Sequence, residues 1–174
     1  QGSSGKITVS SEDGIGNFKS LDAAIEQVKL RGSLEKEINI RSGIEAGPFG
    51  ISGVSLDFIG IKDLSPINVN QQSGQTSSSI SGPSPKEKIR FRNCSIFFNC
   101  SVTIQNVDFI DCAITFVGPT VKIVAETSFN NCTINIQSPI ICQGSNIKFE
   151  NRKRLALGSL GFLFTHPCVK GNNW

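Results

Sequence analysis

The sequence predicts an all-β fold, a small parallel β-helix with three short strands per coil and one α-helix closing its N-terminal end. Two observations carry this. FRNC (91–94), FIDC (109–112), FNNC (129–132) and FENR (149–152) superpose without gaps, their phenylalanines spaced by 18, 20 and 20 residues, and a fixed period is the signature of stacked repeats. Within each period the cysteine is followed by a second β-rich run, SIFF (95–98), AITF (113–116) and TINI (133–136). A third run, VTIQ (102–105), VKIV (121–124) or PIIC (139–142), precedes the next phenylalanine. Units of this size cannot bury an apolar face alone and do so by stacking coil on coil.

In chain order, KITVS (6–10) alternates and is β-branched, and SEDGIGN (11–17) is rich in turn formers. Ser20 is an N-cap candidate ahead of Leu21, Ala24, Ile25 and Val28 at helical spacing, with Gly32 as the stop. Residues 6–32 therefore form a strand and a capping helix. INIRSGI (38–44), VSLDFIGI (54–61) and PINV (66–69) read as short strands, and VSLDFIGI puts Asp57 and Phe58 in the register of the later repeats. The low-complexity stretch QQSGQTSSSISGPSPKEK (70–87) is expected to be an exposed loop inserted in a regular core. Regular coils occupy 88–154. The apolar, glycine-broken tail 155–174 is expected to cap the last coil or to dock on another subunit, because open coils invite edge-to-edge growth. The whole chain, 1–174, is one domain.

The repeat columns have distinct physical roles. Phe91, Phe109, Phe129 and Phe149 stack inside, and the preceding Arg90, Asp108, Ser128 and Lys148 face water. Asn93, Asp111, Asn131 and Asn151 occupy one bend, where short amides accept left-handed backbone and bond from coil to coil as an inward ladder. Cys94, Cys112 and Cys132 form an interior column of small, weakly polar side chains. The sequons at Asn93, Asn99 and Asn131 are by-products of the repeat, and the cysteines are expected to be reduced, although neighbouring coils are close enough for a vertical bridge.

Composition narrows the function classes. With 174 residues, 38% hydrophobic and 18% charged, the chain suits a globular domain. A net charge of +3 is too small to argue for nucleic acid, and the basic clusters Lys86, Lys88, Arg90, Arg92 and Arg152–Arg154 read as solvated edges. No apolar run reaches the roughly 18 residues of a membrane span. His166 is the single histidine and no CxxC pair occurs, so neither a metal nor a cofactor is expected. A start at Gln1 is read as a processed or trimmed terminus.

ITVSSEDGIGNFKSLDAAIEQV, then INIRSGI, VSLDFIGI and PINV, resembles the opening of pectinesterases and related pectin-lyase-like proteins. Asp13, Gly14, Gly16 and Phe18 match that family's turn, and Ala23, Ala24 and Ile25 its helix. The resemblance, over roughly residues 6–69, implies a right-handed parallel β-helix with a capped end. The family's enzymes use two aspartates on neighbouring coils, one acid and one nucleophile, with glutamines at the oxyanion site and an arginine for substrate. Here VDFI supplies one candidate nucleophile, Asp108; Arg90 takes the place where the second carboxylate is wanted, and the family's other motifs are absent. Asp108 is accordingly expected to be an exposed strand residue paired with Arg90. The expected function is a non-catalytic structural or interaction module with protein subunits as partners, as in a viral or phage particle or a cell-surface assembly. The alternative is a pectinesterase-like enzyme or a glycan-binding protein, and glycan binding would need an exposed aromatic platform.

Overall fold

The computed structural model describes residues 7–10, 18–31, 36–41, 43–61, 65–144, 146–150 and 154–156. They form three parallel sheets stacked into a β-solenoid of about 5 turns. Sheet A runs β1 (Ile7–Val9), β2 (Glu37–Ile40), β5 (Leu56–Gly60), β8 (Ile89–Arg92), β11 (Val107–Ile110), β14 (Ser128–Asn130) and β17 (Lys148–Glu150). Sheet B runs β3 (Ile44–Ala46), β6 (Ser65–Asn70), β9 (Cys94–Asn99), β12 (Ala113–Phe116), β15 (Thr133–Ile136) and β18 (Arg154–Ala156). Sheet C runs β4 (Gly50–Ile51), β7 (Ser77–Ser81), β10 (Ser101–Gln105), β13 (Val121–Val124) and β16 (Ile140–Gln143). Each coil visits A, B and C in that order, so the strands before residue 70 belong to the same solenoid as the visible repeats.

Register aligns like with like. Phe58, Phe91, Phe109, Phe129 and Phe149 are direct partners on successive coils, all buried. Their rings stack at 4.5 to 5.1 Å between centroids with interplanar angles of 4° to 11°. Each offset pair adds about 0.5–1.5 kcal/mol beyond the area it buries. Sheet B supplies a parallel column of Ile44, Ile67, Ile96, Ile114 and Ile134, and a second aromatic pair, Phe98 on Phe116.

The N-terminal end is closed by α1 (Leu21–Arg31), which packs on β1, β2 and β3. Leu21, Ala24, Ile25 and Val28 are buried, and the Ala23 amide donates to Ser20 Oγ at 3.2 Å, as an N-cap requires. The family-like turn at 11–17 and the tail beyond Ala156 lie outside the described residues, as does Asn151.

Residues 71–77 and 85–87 are exposed, as expected of a loop, but 70–87 is not one continuous loop. Ser77–Ser81 is an interior strand of sheet C, paired with β4 and β10. Two tight turns bracket it, closed by bridges Gln72–Gln75 and Ser84–Glu87, the first with Gly74 at φ 80°. Alternation explains the strand: Ser78 and Ile80 point inward, and Ser78 Oγ accepts from the Phe49 amide at 3.0 Å and lies 3.6 Å from Cys100 Sγ. A serine with such partners is as well buried as an apolar residue.

Candidate functional site

The outer face of sheet A carries the charged side chains. Because β-strands alternate, burying the phenylalanine column turns Asp57, Arg90, Asp108, Ser128 and Lys148 outward as one register row. Asp108 is half-buried within it. Its Oδ1 accepts from Lys88 Nζ at 3.0 Å and from Ser128 Oγ at 2.6 Å, and Arg90 Nε lies 3.9 Å from Oδ2. Lys88 is therefore its closer cation; the cross-coil neighbour Arg90 lies between two aspartates, with Asp57 Oδ1 3.6 Å from Nη1. Arg92 Nε reaches Asp57 Oδ2 at 3.9 Å. The positions facing Asp108 on adjacent coils are Arg90 and Ser128, so neither register neighbour among the described residues is a carboxyl group that could donate a proton. Two strong donors on one oxygen and a guanidinium beside the other make it an acceptor that ties three coils together.

The bend between sheets A and B is built from left-handed residues: Asn93, Asp111 and Asn131 have φ of 57°, 56° and 58°. Short polar side chains tolerate that backbone at small cost. The ladder lies at the outer edge, not inward: Asp111 is exposed, and Asn131 Nδ2 donates to its Oδ1 at 2.6 Å. Asn93 Nδ2 reaches back to the Gly60 carbonyl at 3.4 Å. A second left-handed column, between sheets C and A, consists of Asn106, Glu126 and Asn146. It is recognisable in the sequence only as a spacing of 20 residues, because its residue types differ.

Behind the first bend, Cys94, Cys112 and Cys132 are free thiols inside the solenoid. Cys112 and Cys132 donate to the carbonyls of Phe91 and Phe109, one coil earlier, at 3.2 and 3.3 Å. Hydrogen bonding with Cys132 favours the Cys112 thiolate, but hydrogen bonding with Cys94 together with burial outweighs it, and Cys112 is pushed up to about 12. Hydrogen bonding with Cys112, then burial, raises Cys132. Burial raises Cys100 too, against hydrogen bonds from Ser78. A raised pKa disfavours the thiolate at Cys100, Cys112 and Cys132, which suits packing groups. Cys142, by contrast, is disulfide-bonded, so the expectation of reduced cysteines fails there.

Sheet B presents the aromatic that sequence reasoning missed. Ile96 and Phe98 point inward, which turns Phe97 outward at 39% exposure. Around it stand Asn68 and Thr115 on the neighbouring coils and Ser95 and Asn99 on its own strand. The signal was present in SIFF, where strict alternation allows only one of two adjacent phenylalanines inside. Elsewhere, an open cleft of ≈ 470 Å³ is lined by Lys29, Lys36, Ser55 and Glu87 among others, and Asp108 is not part of its wall. Among the described residues no group of three His, Cys, Asp or Glu side chains is placed to hold a metal ion, and no helix is long and apolar enough to cross a membrane. No protein-family model, curated protein or solved structure matches the chain.

Proposed function

We propose that this chain is a non-catalytic β-helix module that works by presenting rigid outer faces to partner molecules, chiefly other protein subunits, as a component of a viral or phage particle or another surface assembly. The observation that carries the reading is the state of Asp108. Its Oδ1 is taken by Lys88 and Ser128, and the coil positions beside it hold Arg90 and Ser128 instead of an acid. A nucleophilic carboxylate needs an unshared oxygen aimed at substrate and a proton donor across from it. The motif likeness at residues 6–69, taken with the three-sheet architecture, supports kinship with pectin-lyase-like β-helices in which the catalytic positions have passed to structural use.

Two measurements test this. Incubated with methyl-esterified pectin, wild type and Asp108→Ala are both expected to release no methanol; release by wild type that disappears in the variant would sink the reading. Light scattering of the purified chain, alone and with candidate assembly subunits, is expected to find a complex larger than one chain. A strict monomer under all these conditions counts against the assembly role.

A further inference from the structure

The last strand of sheet C breaks the pattern of the strands before it at one inward position. The register column Ile51, Ile80, Ile104 and Ile123 ends at Cys142. Alternation along β16 turns Ile141 outward and sets Cys142 on the inner side with Ile140, packed against the core. Cys142 is in a disulfide. The chain has 6 cysteines, and Cys94, Cys100, Cys112 and Cys132 are free thiols. Cys168 is the sixth, so within one chain it is the partner that remains.

Geometry fixes the side from which that partner comes. Toward the preceding coil, the inner side of Cys142 is occupied by Ile123, which is fully buried. The bond therefore reaches Cys142 from the opposite direction, over the C-terminal end of the solenoid. There the sheets finish, among the described residues, at β16, β17 and β18. Ile140 and Phe149 stand at that end and yet are only 5% exposed, which calls for a cover over them. Chain order points the same way: each coil visits A, B and C in turn, so the chain leaving β18 in sheet B is next due over β16. Cys168 follows Ala156 by 12 residues, enough to span about 40 Å when extended. On the way lie Leu157, Leu160, Phe162, Leu163 and Phe164, an apolar set suited to closing a hydrophobic end.

We propose that residues 157–174 cap the C-terminal end of the solenoid of their own chain and are locked there by a Cys142–Cys168 disulfide. To form the bond, one of the two thiolates attacks a low-molecular-weight disulfide such as oxidised glutathione and expels one glutathione thiol. The other thiolate then attacks the mixed disulfide and expels the second. Two electrons and two protons thus pass from the protein to the oxidant as one S–S bond closes. The four free thiols lie inside the solenoid at 3% exposure or less, which keeps them out of this exchange. The cap shields the end strands β16 and β17, whose uncovered edges would template pairing with another chain. This inference goes beyond the non-catalytic reading and stands without it.

Tryptic mapping by mass spectrometry without reductant, on wild type equilibrated with oxidised glutathione, tests the bond. The fragment Ile123–Lys148 is expected to be joined to Leu155–Lys170, with fragmentation placing the link at Cys142 and Cys168. In a non-reducing denaturing gel the protein should run as one chain. A link through Cys132, no link at all, or a link between two chains overturns the proposal; the last would make the tail a docking segment for another subunit. Hydrogen exchange tests the cap. Cys168→Ser is expected to speed amide exchange in β16 and β17 by about tenfold or more, while β1 and β2 at the far end keep the wild-type rate. Equal exchange in β16 and β17 of both proteins would place the bonded tail elsewhere and overturn the cap. Should Cys168→Ser fail to fold, wild type reduced with dithiothreitol under native conditions supplies the same comparison. All these outcomes leave the non-catalytic reading standing, since it falls only if methanol is released from pectin.

Discussion

Asp108 and Phe109 are neighbours in sequence with opposite tasks, and substitutions separate them. Asp108 draws Lys88 and Ser128 onto one oxygen while only 19% of its side chain is exposed. Removing it strands partly desolvated cations, so Asp108→Ala should lower the unfolding free energy by about 1–3 kcal/mol in urea titrations. A catalytic residue placed at the expense of stability would show the opposite sign. Phe109 stacks between Phe91 and Phe129, fully buried. Phe109→Ala should cost about 3–5 kcal/mol, with Phe109→Leu markedly less because most of the volume is kept. Phe97→Ala, on the same kind of strand but facing out, should stay within about 0.5 kcal/mol of wild type. The inward column was legible from the sequence because identical residues recur at a fixed spacing. The outward aromatic was legible only through the alternation within SIFF, because one phenylalanine without counterparts on other coils forms no column.

At the scale of the element, turns and strands differ in how much sequence they reveal. The Asn93–Asp111–Asn131 bend announced itself through residue types that tolerate φ near 57°, whereas its companion at Asn106, Glu126 and Asn146 is blurred by a glutamate. Asn131→Gly should leave stability nearly unchanged and Asn131→Val should cost about 1–2 kcal/mol, since a β-branched side chain clashes in left-handed backbone. Thermal melts of the two variants give the comparison. Strand β7 was hidden for a different reason: composition is read per residue, while burial depends on alternation and partners. SSSIS looks like a linker, yet it pairs at every position with β10. Ile80→Asn should therefore destabilise severely, by several kcal/mol, because Ile80 is fully buried and the new amide would have no partner. Two extra residues inserted between Ser73 and Gly74, at the exposed tip of the preceding turn, should be tolerated. An exposed loop would accept both changes, so the pair of results discriminates.

At the scale of the whole molecule, one interior property is shared by several coils: the thiols of Cys100, Cys112 and Cys132 are harder to deprotonate in the folded chain. Folding pushes Cys112 from an ordinary 9.0 up to about 12 and raises Cys132 and Cys100 as well. A raised pKa means that, above pH 9.0, the unfolded chain releases protons that the folded chain keeps. The stability these thiols contribute is thus complete below the unfolded value and is lost as pH rises from 9.0 towards about 12. Unfolding free energy should carry no thiol-dependent slope between about pH 6 and 8, then fall above pH 9.0. The double variant Cys112→Ala, Cys132→Ala should be less stable at neutral pH, from lost packing, but should show a shallower alkaline decline. An equal slope in both proteins would mean that other groups govern the alkaline transition. Alkylation supplies a second readout of the same interior: in the native chain at pH 8 the four buried thiols among the described residues, Cys94, Cys100, Cys112 and Cys132, should resist iodoacetamide, and on unfolding without reductant these four should react while Cys142 stays unmodified.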